Sequence, residues 1–220
     1  MTAASRDRQG LEWTPQAVKR RWQGCGSQFA GDGAARELVS LVRRYVGRDI
    51  LDAGAGAAGP MRLFPRAVGL DLAPRQSNTV GGDMCAMPFR SEAFDTVFSI
   101  EVLEHLSGDR LSRGLHEVRR VLRKGGHAVL VTPYREDLTR RRTVCPHCGT
   151  EFHWLGHVRS FDEDSLASIL RSAGLEVVMS RALPLALRGN HRLLGRLSFL
   201  LALVGSPQPN FLIVVARRPA

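Results

Sequence analysis

A short apolar strand that ends in an acid and runs straight into a glycine turn constrains this chain more than any other stretch. It reads Asp49-Ile50-Leu51-Asp52-Ala53-Gly54-Ala55-Gly56-Ala57-Ala58-Gly59. Glycines at 54 and 56 admit backbone conformations barred to other residues and let the main chain approach a ligand closely. With Gly59 they spell the G-x-G-x-x-G spacing of dinucleotide-binding turns, so the identity of the ligand is the first question. A pyrophosphate on a helix N-terminus needs free N–H groups and no carboxylate beside it. Asp52, directly before the glycines, repels phosphate and attracts an ammonium or sulfonium. Two more acids close strand-like segments: Asp71 after Val68-Gly69-Leu70, suited to a pair of ribose hydroxyls, and Asp83 after Gly81-Gly82, suited to an adenine amino group.

These segments continue, in order, with Phe94-Asp95-Thr96-Val97-Phe98-Ser99, Glu101-Val102-Leu103-Glu104-His105-Leu106 and Leu122-Arg123-Lys124-Gly125-Gly126. On these motifs, roughly residues 36–180 resemble the class I S-adenosylmethionine-dependent methyltransferases, in particular the small-molecule group that includes ubiquinone-pathway enzymes. The resemblance implies an α/β fold: a doubly wound, Rossmann-like, seven-stranded sheet with helices on both faces. Its last strand, 211–215, would lie antiparallel beside the sixth. The implied cofactor is S-adenosylmethionine, which carries both cations and no phosphate. Asp52, Ala53, Gly54 and Gly56 would hold its methionine end, Asp71 the ribose, and Asp83 with Met84 the adenine, with Leu72 and Ser99 completing the set.

The expected organisation is an N-terminal arm, 1–32, and a methyltransferase domain, 33–220, with a substrate lid at 133–160 and an apolar helical insertion at 187–205. The alternation of strands and helices supports a parallel sheet covered on both faces. Apolar residues at 38, 41, 42 and 45 mark a helix over 34–46. Leu111, Leu115, Val118 and Leu122 mark another, stopped by Lys124-Gly125-Gly126. Pro60 suits the first turn of the helix after the glycines. A further helix begins at Asp162-Glu163-Asp164, with acids in its first turn. In the insertion, the apolar run 199–204 is too short to span a bilayer, which takes ~20 residues. It is expected either to cover a sheet edge or dimer face, or to lie at a membrane surface with Arg188, Arg192 and Arg196 toward head groups.

The net charge is +10, yet Lys19 and Lys124 are the only lysines. Arginine bias explains such a balance without a nucleic-acid partner, so the expected partner is a small molecule and the protein a monomer or homodimer. Residues 1–12 are polar and four cysteines do not make a secreted framework. A cytoplasmic location is expected.

Two constellations carry candidate chemistry. After the fourth strand, Glu101, Glu104 and His105 stand at i, i+3 and i+4, one face if helical. They offer a general base, or oxygen and nitrogen ligands for a divalent ion. Ubiquinone-pathway and small-RNA 2′-O-methyltransferases look similar at this segment and hold a metal there. Downstream, Cys145, Cys148, His153 and His157 are four ligands in thirteen residues, enough for a tetrahedral zinc that would stiffen the lid. Alternatively His153 and His157 point into the acceptor pocket, and His157 completes the Glu101-Glu104-His105 set. The expected function is methyl transfer to a small molecule, most readily at oxygen. The alternatives are a nucleic-acid methyltransferase and a non-catalytic S-adenosylmethionine-binding protein.

Overall fold

A computed structural model describes residues 32–56, 63–184 and 209–220. The arm at 1–31, Pro60 and the insertion at 187–205 lie outside the described residues. Nine strands occur among those described: β1 (Ile50–Ala53), β2 (Val68–Asp71), β3 (Thr79–Gly81), β4 (Phe94–Ile100), β5 (Leu122–Pro133), β6 (Arg142–Val144), β7 (Glu151–His153), β8 (Glu176–Leu183) and β9 (Phe211–Arg217). Seven form one sheet in the order β3-β2-β1-β4-β5-β9-β8, and β6 pairs with β7 in a separate hairpin. β9 runs antiparallel to both β5 and β8. This is the doubly wound, Rossmann-like arrangement expected from the sequence.

Period-two alternation sorts the sheet's side chains into two cores. Leu51, Val97, Ala128, Leu130, Leu212 and Val214 face one side, while Ile50, Phe98, Val129, Val131, Ile213 and Val215 face the other. The first side is covered by α2 (Gly108–Val121) and α3 (Glu163–Ser172), through Leu111, Leu115, Val118, Leu166 and Leu170. The second is covered by α1 (Asp32–Val42), through Ala35, Leu38 and Val42. A sheet buried on both faces needs continuous apolar strands, which residues 128–131 of β5 and 211–216 of β9 supply. α3 starts at a reciprocal cap between Asp162 and Ser165.

The stop of α2 differs from expectation. Its last helical residue is Val121, the backbone turns extended at Leu122, and Lys124-Gly125-Gly126 lies inside β5. There Gly125 takes φ +76° and donates to the Arg218 carbonyl, while Arg218 donates back to Gly126. The glycines therefore shape a strand irregularity, not a helix cap. Several arginines act as clips. Arg123 bonds Asp49 and Asp95, Arg120 bonds Glu117 and the carbonyls of Met87 and Phe89, and Arg218 bonds three carbonyls around the end of α2. Among the described residues no helix is long and apolar enough to cross a membrane.

Candidate active site

The strand order reverses between β1 and β4, and ligands of such sheets bind outside the carboxyl ends at that point. The expected residues gather there. β1 delivers Asp52 and Ala53, both buried, and the chain then turns at Gly54 with φ +91° and Gly56 with φ +54°. The turn is held by the N–H groups of Gly54 and Ala55, both donating to the Leu70 carbonyl at 2.7 and 3.1 Å. A Cβ on Gly54 would strike Val102, whereas one on Gly56 would meet only the Gly54 carbonyl, at 3.9 Å. Among the described residues the turn packs tightly on its Gly54 side and loosely on its Gly56 side.

Asp52 Oδ2 is buried without a hydrogen-bond partner among the described residues. Burial, and then the nearby charge of Asp71, push its carboxyl up to about 7. A positive ligand would offset both effects, so the residue fits a cationic cofactor. Asp71, ending β2, accepts from the Gly56 N–H at 2.8 Å and from the Ala73 N–H at 2.8 Å. It braces the glycine turn as well as facing it, and the adjoining Leu72 is half-buried. Asp83 accepts from the Cys85 N–H at 2.9 Å, and both its oxygens receive Arg110 at 3.0 Å. Arg110, buried on α2, had no signal in the sequence beyond a cation on an apolar helix face. Met84 is buried, and its sulfur receives the hydroxyl of Ser99 at 4.0 Å. Ser99 is itself fully buried, so its hydroxyl is spent on packing.

The segment after β4 is not the helix that would put Glu101, Glu104 and His105 on one face. Glu101 adopts φ +53° and donates its N–H to the Val131 carbonyl, and a short 3-10 turn, Leu103–His105, follows. A left-handed non-glycine residue here is the local strain often kept at working sites. Glu104 is 1% exposed and neither of its carboxyl oxygens has a hydrogen-bond partner among the described residues. Burial first, then the charges of Glu101 and Glu136, raise its pKa well above the ordinary carboxylate value. His105 Nδ1 lies 3.2 Å from the Gly156 carbonyl. A carbonyl only accepts, so Nδ1 carries the proton in the neutral ring and Nε2 the lone pair.

The lid descends on this turn. Val158 donates to the Glu104 carbonyl at 2.9 Å, and the rings of His105 and His157 meet edge to face at 4.8 Å. His157 stacks on His153 at 4.8 Å and pairs through Nδ1 with Glu136. Glu136, just beyond β5, was missed: a single acid in a lid has no spacing that singles it out. The four residues of the expected zinc set do not converge in this structure. Cys145, half-buried, and Cys148, exposed, occupy the hairpin tip, where Cys148 bonds Thr150. His153 pairs with Arg142 at the hairpin base, three residues from Thr150, roughly 10 Å along a strand. The converging potential ligands among the described residues are Glu104, His105 and His157, and Glu136, His153 and His157, without either cysteine.

Residues 51–130, from β1 into β5, match the methyltransferase-domain family. The chain carries a class I S-adenosylmethionine-dependent methyltransferase domain. Similar to this chain is a protein of Encephalitozoon cuniculi named as a methyltransferase, 34% identical over 52% of this chain and 54% of its own. The 24-methylenesterol C-methyltransferase 2 of Oryza sativa subsp. japonica is 30% identical over 74% of this chain and 51% of its own. The chain spans about half the length of these relatives. Its fold matches 1,6-didemethyltoxoflavin-N1-methyltransferase of Burkholderia thailandensis, solved with 1,6-didemethyltoxoflavin and S-adenosylhomocysteine. The TM-score is 0.60 at 17% identity, covering 92% of this chain and 83% of that one.

Proposed function

We propose that this protein transfers a methyl group from S-adenosylmethionine to a small-molecule acceptor, at oxygen. The observation that carries the reading is the carboxylate oxygen of Asp52, buried and without a hydrogen-bond partner among the described residues, at the head of a glycine turn. Asp52, Gly54 and Gly56 would hold the methionine end, Asp71 the ribose, and Asp83 with the Met84 main chain the adenine. The bound cofactor supplies an electrophilic methyl group on a sulfonium. What remains for the protein is to orient the acceptor, exclude water and take up a proton. His105 Nε2 is the proton acceptor for a hydroxyl, since Gly156 holds the ring's other nitrogen as a donor. Buried Glu104 lies beside it to stabilise the charged ring.

The same groups fit a divalent ion, zinc or another, because Glu104 offers two unpartnered buried oxygens and the two imidazoles converge on it. Such an ion would be held by Glu104, His105 and His157 and would supply Lewis-acid polarisation of the acceptor oxygen.

A carbon acceptor is the second reading, favoured by the name of the rice relative. Radiolabelled methyl transfer to panels of phenols, catechols and sterol alkenes, with mass analysis of products, separates the two. Methyl ethers are expected from the wild type and none from His105→Gln. Turnover confined to the alkenes would replace the oxygen reading.

A further inference from the structure

We propose that Glu136 is the positioning residue of this site, holding His157 in the tautomer that presents Nε2 to Glu104 and His105. The inference rests on the reading of Glu104, His105 and His157 as the working set and adds a residue outside it.

Glu136 and His157 come from opposite ends of the lid. Glu136 follows β5 almost at once, whereas His157 lies beyond the β6–β7 hairpin. Their contact closes the loop on itself. The carboxylate oxygen Oε2 of Glu136 meets His157 Nδ1, and the histidine side chain is 4% exposed while that of Glu136 is 16% exposed. A carboxylate accepts hydrogen bonds, so a short contact of this kind puts the proton on Nδ1. His157 then has one lone pair in its neutral form, on Nε2. A carboxylate behind an imidazole in this way fixes the ring's tautomer and rotation.

His153 supports the same arrangement. Its ring lies against His157 at an interplanar angle of 28°, and its Nδ1 accepts the His157 main-chain N–H at 3.3 Å. That acceptance assigns the remaining proton of neutral His153 to Nε2, 3.7 Å from Glu136 Oε1 and without a hydrogen-bond partner. A protonated Nε2 is no metal ligand, and Nδ1 of His157 touches Glu136 as a hydrogen bond. Glu136, His153 and His157 therefore act as a bracket behind the site and not as a second metal-binding triad, although their polar atoms cluster closely enough for one.

Nitrogen-15 spectra of the histidine side chains test this without any substrate. His157 should be the Nδ1–H tautomer in the wild type and in Glu136→Gln, whose amide oxygen still accepts. In Glu136→Ala it should shift toward Nε2–H, the form imidazole prefers in water. Methyl transfer should fall about 10- to 100-fold in kcat for Glu136→Ala, with partial recovery in Glu136→Gln and unchanged affinity for S-adenosylhomocysteine. An Nε2–H tautomer in the wild type, an unaltered tautomer in Glu136→Ala, or a full kcat in that variant would each overturn the proposal. If Glu136→Ala does not fold, the Glu136→Gln and wild-type spectra still decide the tautomer. A protein with no methyl transfer would sink the proposed function while leaving the spectroscopic assignment to stand or fall by itself.

Discussion

Gly54 and Val102 approach so closely that a Cβ on the glycine would stand 2.3 Å from Val102 Cγ2. The cofactor turn after β1 is thereby seated directly on the segment after β4, which leads into Glu104 and His105. Gly54 also needs its φ of +91°, so two independent constraints fall on one residue. Gly54→Ala should destabilise the domain by about 2–4 kcal/mol through strain and overpacking. Binding of S-adenosylhomocysteine should be lost with it. Gly56→Ala meets no close contact among the described residues, keeps the strain of φ +54°, and should cost less stability while still weakening the cofactor. Urea unfolding and calorimetry on both variants check the contrast.

Asp52 sets a pH dependence of the unliganded protein. Its folded pKa is raised from the ordinary 3.8 to about 7, so the folded state holds the proton more tightly than the unfolded chain. The resulting stability is fully present below pH 3.8 and is lost as pH rises through about 7. Three units at about 1.4 kcal/mol each cap the effect near ~4 kcal/mol. Asp52→Asn should remove this slope and leave the free protein roughly 1–3 kcal/mol more stable than wild type at pH 8, at the cost of cofactor affinity. Chemical denaturation across pH 4 to 8 measures it.

The split of the cysteines from the histidines predicts the outcome of metal analysis. Protein bearing Cys145→Ser and Cys148→Ser together should retain any divalent metal that the wild type carries when purified without chelator. Glu104→Gln and His157→Gln should each lose it. Loss of the metal from the cysteine variant would restore the hairpin tip as its site.

Arg110 is tied to Asp83, the residue proposed for the adenine. Arg110→Met removes a buried cation from a partly exposed partner and should cost on the order of 1–3 kcal/mol, less than breaking a fully buried pair. Affinity for S-adenosylhomocysteine should drop through the freed Asp83 side chain, with kcat at saturation little changed. Thermal melting and titration together read both effects.

The sheet was legible because each of its elements carries a local signal. An apolar run ending in an acid or glycine marks β1 and β2, and the unbroken apolar run 211–215 marks β9. The positions of Asp52, Asp71 and Asp83 at strand ends followed from the same pattern. The site's lid was legible only in part. Cys145 and His153 are close in sequence, and four good ligands suggested one centre. Yet Cys-Pro-His-Cys-Gly between two short alternating segments is also a hairpin tip, and a hairpin separates its tip from its base. Glu136 and Arg110 act through contacts between distant elements, 21 and 27 residues from their partners, which no local spacing records. The segment after β4 looked helical by its spacing, but Glu101 breaks the helix with a left-handed conformation that a glutamate does not advertise.

Titration of S-adenosylhomocysteine and of NADH into the wild type and Asp71→Asn bears most directly on the account. One S-adenosylhomocysteine should bind each wild-type chain, with affinity lowered at least about tenfold in Asp71→Asn, a loss of ~1.4 kcal/mol, and NADH should not bind. Saturable NADH binding that Asp71→Asn weakens, with S-adenosylhomocysteine inert, would contradict the cofactor assignment and everything placed around it.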